Sequence, residues 1–188
     1  MIRTFIAVEI SEPIREQISA LVDVLRAKGS KVSWVRPENL HLTLKFLGDV
    51  EEDRIDDVVK GTQEATKGMQ PFTLSFSGLG VFPGFKRPRV IWVGVNKGSD
   101  SLGRLQRKIE EELVRRGFER EKRRFSPHLT IGRVRTPQGI NELMSVIRGG
   151  EFTSEETTVE RVVVMKSDLS PTGAVYSPLG ICTFTDKT

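Results

Sequence analysis

The feature that most limits how this chain can fold is a duplication. The tetrad His41-Leu42-Thr43-Leu44 returns as His128-Leu129-Thr130-Ile131, and these are the only two histidines in 188 residues. Their surroundings return as well. An apolar run, Thr4 to Ile10, precedes the first tetrad, followed by Ile14, Ile18, Leu21, Val22 and Leu25 at helical spacing. Arg89 to Val95 precedes the second, followed by Leu102, Leu105, Ile109, Leu113 and Val114 at the same spacing. His41 stands to Phe5 as His128 stands to Ile91, within one residue.

Each half is therefore predicted to run strand, helix, His-Leu-Thr strand, helix, strand, strand. Short strands are expected at Ser33 to Val35 and Leu40 to Phe46, with a helix around Ile55, Val58 and Val59. Phe72 to Leu79 follows as a strand. In the second half the helix should stop at Gly117, with a strand over His128 to Val134. Ile140, Leu143, Met144 and Ile147 then mark a short helix. Val159 to Lys166 and Ala174 to Phe184 should close as a hairpin around Ser170 to Gly173, where Pro and Gly supply turn geometry. For the first helix, the Ser11 hydroxyl is expected to cap the N-terminus and Gly29 to end the C-terminus. The implied fold is α+β and bilobal: two pseudo-symmetric lobes, each an antiparallel-rich sheet with two helices, and an active cleft between them. No flexible linker separates the halves, so residues 1–188 read as one unit with an internal repeat over about 3–80 and 88–184.

Composition narrows the class. No apolar run approaches the ~20 residues that span a bilayer, and the N-terminus carries no cleavage-site signature, so a cytoplasmic location is expected. A lone Cys182 excludes an internal disulfide and a cysteine zinc site; in its apolar strand it reads as buried and inert. Twenty-nine basic against 25 acidic residues is too small an excess to argue nucleic-acid binding by itself. The distribution says more, because Lys86 to Arg89 and Arg120 to Arg124 are basic clusters, the second just ahead of His128.

Alternation along a strand puts His and Thr of each tetrad on one face and the leucine or isoleucine positions on the other. If the lobes face each other, two imidazoles and two hydroxyls converge. That set suits phosphodiester cleavage. A neutral imidazole takes a proton from the attacking oxygen, an imidazolium gives one to the leaving oxygen, and the hydroxyls donate to the non-bridging oxygens. Two histidines without a cysteine cluster make no convincing metal ligand set.

The two tetrads resemble the HxTx pair of the 2H phosphoesterases. The flanks TFIAVEI, RPENLHLTLKFLGDV, VFPGFKRPRVIWVGV and RFSPHLTIGRV, in that order across the whole chain, look like the LigT-like RNA 2′,3′-cyclic phosphodiesterases, formerly called 2′-5′ RNA ligases. The resemblance implies that water opens a cyclic phosphate to a 2′-phosphomonoester, with no metal or cofactor. It implies His41 as the acid and His128 as the base, and the reverse joining of RNA ends with these roles exchanged. The implied partner is an RNA ending in a 2′,3′-cyclic phosphate, tRNA fragments among them, and a monomer without membrane attachment. Thr43 and Thr130 would hold the phosphate. By the residues alone, either histidine could be the acid. A small-molecule cyclic phosphodiesterase and a non-catalytic RNA-end module are the competing readings.

Other positions carry two readings each. Arg133 lies where the family often has a substrate-contacting basic residue. Regular alternation turns it away from His128, but Gly132 permits a bulge that re-aims it. Lys45 shares parity with His41 and could face the cleft or sit at its rim. The Phe82 to Arg89 loop could stack a base or merely pack, and the same question applies to Arg124 and Phe125. Trp34 and Trp92, in apolar strands, are expected in the core.

Overall fold

The apolar run after Met1 forms the first strand, β1 (Ile2–Glu9), in the computed structural model, which describes residues 1–28, 31–136, 138–171 and 173–185. Then follow α1 (Glu12–Arg26), β2 (Val32–Trp34), β3 (His41–Val50), α2 (Ile55–Thr66), β4 (Phe72–Phe82) and β5 (Val90–Lys97). The remainder is α3 (Ser99–Arg115), β6 (His128–Val134), α4 (Asn141–Gly149), β7 (Thr157–Val159), β8 (Arg161–Ser170) and β9 (Gly173–Thr183). Single 3₁₀ turns lie at Pro37–Asn39 and Glu52–Arg54. The expected order of elements is present. The strand expected over Val159 to Lys166 is split: Val159 ends the short β7 of the five-stranded sheet, and β8 starts afresh at Arg161 in the other sheet.

The named strands pair antiparallel throughout and form two sheets, ordered β3-β1-β8-β9 and β2-β6-β5-β4-β7. Each sheet draws on both halves of the sequence. The last long strand of the first half, β4, pairs with β5, and β8 of the second half pairs with β1. The helices follow the same exchange. α2 packs on β8, β9 and α3, while α3 also lies against β3. α4 packs on β4, and Lys28, just after α1, pairs with Glu142 in the first turn of α4. One apolar core runs through both layers, from Ile6, Leu42 and Val164 to Leu74, Ile91 and Leu129.

The periodic residues do what their spacing requires. Ile14, Ile18, Val22 and Leu25 are the buried face of α1, and Leu102, Leu105, Ile109 and Leu113 that of α3. Ser11 occupies the N-cap of α1, but its hydroxyl makes no capping bond. Its carbonyl accepts the first helical bond, from the Arg15 N–H, and Pro13 removes one of the two amides, at the second and third helical positions, that a capping hydroxyl serves. Gly29, expected to end α1, lies outside the described residues, as does Thr172 in the β8–β9 turn. Gly117 does end α3: its φ of +81° is the left-handed conformation that closes a helix, and the Phe118 N–H returns to the Leu113 carbonyl.

Candidate active site

Leu42 and Leu44 anchor β3 from below, and Leu129 and Ile131 anchor β6; all four are buried. His41, Thr43, His128 and Thr130 lie on the opposite faces and line a single cavity of about 420 Å³. β3 and β6 approach each other across it although they belong to different sheets. The cavity thus gathers both tetrads.

The two imidazoles are held alike. His41 Nδ1 lies 2.7 Å from the Asn39 carbonyl, and His128 Nδ1 lies 2.7 Å from the Ser126 carbonyl. A carbonyl only accepts, so each Nδ1 carries a proton and donates it. Each Nε2 is left for chemistry. His41 Nε2 is 3.0 Å from Thr43 Oγ1. Each ring also leans on aromatics. Phe5 stacks on His41 at 4.8 Å and Tyr176 meets it edge-on at 5.3 Å, while Phe82 meets His128 edge-on at 4.9 Å. Burial lowers the pKa of His41 and outweighs the opposing hydrogen bond to Asn39. Burial raises that of Tyr176, against the charges of Arg133 and Arg3.

What lies beyond the tetrads depends on two bulges at equivalent points. In β3, Ile6 pairs with Lys45 and Ala7 with Thr43, leaving Leu44 as the extra residue. In β6, Ile91 pairs with Gly132 and Trp92 with Thr130, leaving Ile131 extra. Each bulge reverses the parity that follows it. Arg133 therefore lines the cavity, and Phe46, its counterpart in the first half, does too. Lys45 turns the other way. It is neither in the cleft nor at its rim, but buried, with Nζ 2.7 Å from Glu110 and 2.9 Å from the Glu119 carbonyl.

Trp92 departs from the core placement expected of it. It is partly buried on the cleft side of its sheet, 5.1 Å from Phe82 and 6.3 Å from His128. Gly80 makes room for it: a Cβ there would come within 2.2 Å of the indole. Trp34 packs partly buried against the core. In the 82–89 loop, Phe85 packs on the core under Arg148, whereas Phe82 walls His128. Phe125 also packs on the core. Arg124 lines a separate hollow with Arg104 and Arg107, and residues 120–123 line another that meets the histidine cavity only at Phe46. Cys182 is buried, its thiol pushed up to about 11, so it is not a nucleophile near neutral pH.

Sequence reasoning passed over Arg3, Phe5, Asn39 and Tyr176, all of which line the cavity. For Asn39 a signal existed, since the residue two before each histidine is small and polar, Asn39 and Ser126. For Arg3, Phe5 and Tyr176 none did, because alternation does not say which strand will lie beside β3. Among the described residues no group of three or more His, Cys, Asp or Glu side chains is placed to hold a metal ion. No helix among them is long and apolar enough to cross a membrane.

Comparison with known proteins gives one family. Its sequence pattern, described as LigT like phosphoesterase, fits residues 8–92 and again 93–176. A Methanothermobacter thermautotrophicus protein named RNA 2′,3′-cyclic phosphodiesterase is 37% identical over 183 residues, 96% of this chain and 97% of that one. A Thermotoga maritima protein of the same name is also 37% identical, over 97% of this chain and 95% of its own. Among solved structures, TT0787 of Thermus thermophilus superposes with a TM-score of 0.81 at 26% identity, covering 99% of this chain and all of that one. Escherichia coli LigT complexed with 3′-AMP superposes with a TM-score of 0.75 at 25% identity, covering 98% of each.

Proposed function

Because this chain belongs to the LigT-like phosphoesterase family, we propose that it opens the 2′,3′-cyclic phosphate ends of RNA to 2′-phosphomonoesters. The observation that carries this reading is the pair of imidazoles, one from each tetrad, whose Nδ1 atoms are held by backbone carbonyls and whose Nε2 edges are left to one cavity, lined among the described residues by no carboxylate. The relatives' shared name supports the substrate, and the 3′-AMP in Escherichia coli LigT supports a nucleotide as the ligand of this fold.

The cyclic phosphate lies between the imidazoles. Neutral His128 takes a proton from water as the water oxygen bonds to phosphorus. The bond from phosphorus to the 3′ oxygen breaks, and protonated His41 gives its proton to that oxygen. The electrons of the broken bond leave with the 3′ oxygen, so the products are a 3′-hydroxyl and a 2′-phosphate. Thr43 and Thr130 donate to the non-bridging oxygens, and the Arg133 guanidinium neutralises charge that builds on them. With a 5′-hydroxyl in place of water, the same opening step makes a 2′-5′ bond as the 3′ oxygen leaves, and its reversal cleaves that bond. No metal or cofactor enters either reaction. A cytoplasmic monomer acting on RNA ends, tRNA fragments included, completes the reading.

The test is single-turnover cleavage of an RNA ending in a 2′,3′-cyclic phosphate. His41→Ala and His128→Ala are each expected to slow the chemical step about 10²–10⁴-fold while leaving the fold intact. A variant of either residue that cleaves at the wild-type rate sinks the two-histidine mechanism.

A further inference from the structure

The histidine cavity holds more positive charge than one cyclic phosphate uses. Arg133 enters it from β6 and Arg3 from β1, on the side of the other sheet. Neither guanidinium has an ion-pair partner among the described residues. Asp49 is the ladder partner of Arg3, yet the Arg3 guanidinium lies over the exposed Phe46 ring, 4.7 Å from its centroid. A planar cation laid on an aromatic face is fixed in orientation and keeps its N–H edge for an acceptor.

The duplication sharpens the point. The positions five residues past each histidine are Phe46 and Arg133, and both face the cavity. The second half supplies its guanidinium from that position, whereas the first half borrows one from the neighbouring strand and seats it on the phenylalanine. Arg3 is one strand repeat, about 6.5 Å, along β1 from Phe5, whose ring stacks on His41, and the ladder sets Arg3 opposite Asp49 while His41 lies opposite Glu9, so Arg3 lines the same cavity on the far side of Phe5 from the histidine. A nucleoside 2′,3′-cyclic phosphate carries one negative charge, which His41, Arg133 and the threonines already meet. A second guanidinium further along the same cavity calls for a second anion.

Resting on the proposed cyclic phosphate chemistry, we infer that Arg3 binds the phosphodiester joining the terminal nucleotide to the one before it. This makes the site selective for the ends of oligonucleotides over free nucleoside cyclic phosphates. Arginine suits the task because its paired N–H groups match two phosphate oxygens.

The experiment compares a nucleoside 2′,3′-cyclic phosphate with a dinucleotide ending in the same group. Arg3→Ala is expected to lower kcat/KM for the dinucleotide about tenfold to a hundredfold more than for the nucleoside, the range for losing a hydrogen bond to a charged group. A dinucleotide whose internal linkage is an uncharged methylphosphonate tests the same contact in the wild-type protein. There it should reproduce the loss, and in Arg3→Ala it should cost little more. Equal losses on both substrates, no loss on either, or a methylphosphonate penalty as large in the variant as in the wild type would overturn the assignment. A wild-type protein that opens neither substrate would overturn the chemistry on which it rests.

Discussion

His41 and His128 share their tetrad, their backbone hydrogen bond and their cavity, but not their surroundings. Phe5 and Tyr176 crowd His41, and the loss of water around it favours the neutral ring. A neutral ring cannot be an acid, so in the proposed roles His41 gains its proton as the anionic phosphate arrives beside it. The sign follows directly. The free protein loses its acid as pH rises through a value below 6.5, so kcat/KM should start to fall there. The matching limb of kcat, which reports the substrate complex, should lie at higher pH. Imidazole resonances followed by NMR should place His41 below its ordinary pKa in the free protein and higher with a nucleoside 2′-phosphate bound. A His41 pKa that does not move on binding would make His41 the base instead.

At the scale of the strand, one extra residue decides where side chains go. The bulges at Leu44 and Ile131 turn Lys45 inward and Arg133 outward. Lys45 then meets Glu110 of α3, whose carboxylate also accepts from Gln106 and from the Glu121 N–H. This buried cluster ties β3, which carries His41, to the segment that delivers His128. Lys45→Met leaves the Glu110 carboxylate buried without its cation and should cost about 3–5 kcal/mol in denaturant unfolding. Removing both charges, with Glu110→Leu added, should recover much of that loss. A single variant within about 1 kcal/mol of wild type would show that the pair carries little stability. The tetrads themselves were legible because a period of two sorts His and Thr from Leu without knowledge of the neighbours. The destination of Lys45 was not, since nothing about Leu44 marks it as the residue that slips out of the ladder. The placement of Arg133 is open in the sequence for the same reason: Gly132 hints at irregularity, but the extra residue is Ile131.

Across the whole molecule, neither half of the sequence builds a sheet alone. β4 crosses to β5, and β8 crosses to β1 with β9 paired on its other edge, so both walls of the cavity are joint products of the two halves. That exchange supports our proposal that residues 1–188 are one bilobal unit repeating over about 3–80 and 88–184. The element order and the apolar faces could be read from spacing, and so could the α+β class. The crossing could not, because periodicity says which residues turn inward and nothing about which strand they will lie beside. Trp92 shows the consequence. Its apolar strand suggested a core residue, but Gly80 on the crossing strand leaves room for the indole on the cleft side, next to His128. The central claim is that two imidazoles in this shared cavity, and no metal, direct water onto a cyclic phosphate. The most direct measurement is the end-group left on one defined RNA 2′,3′-cyclic phosphate cleaved in isotopically labelled water with excess chelator. The expected product is a 2′-phosphate carrying one labelled oxygen beside a free 3′-hydroxyl. A 3′-phosphate product, or activity lost to the chelator, would contradict it.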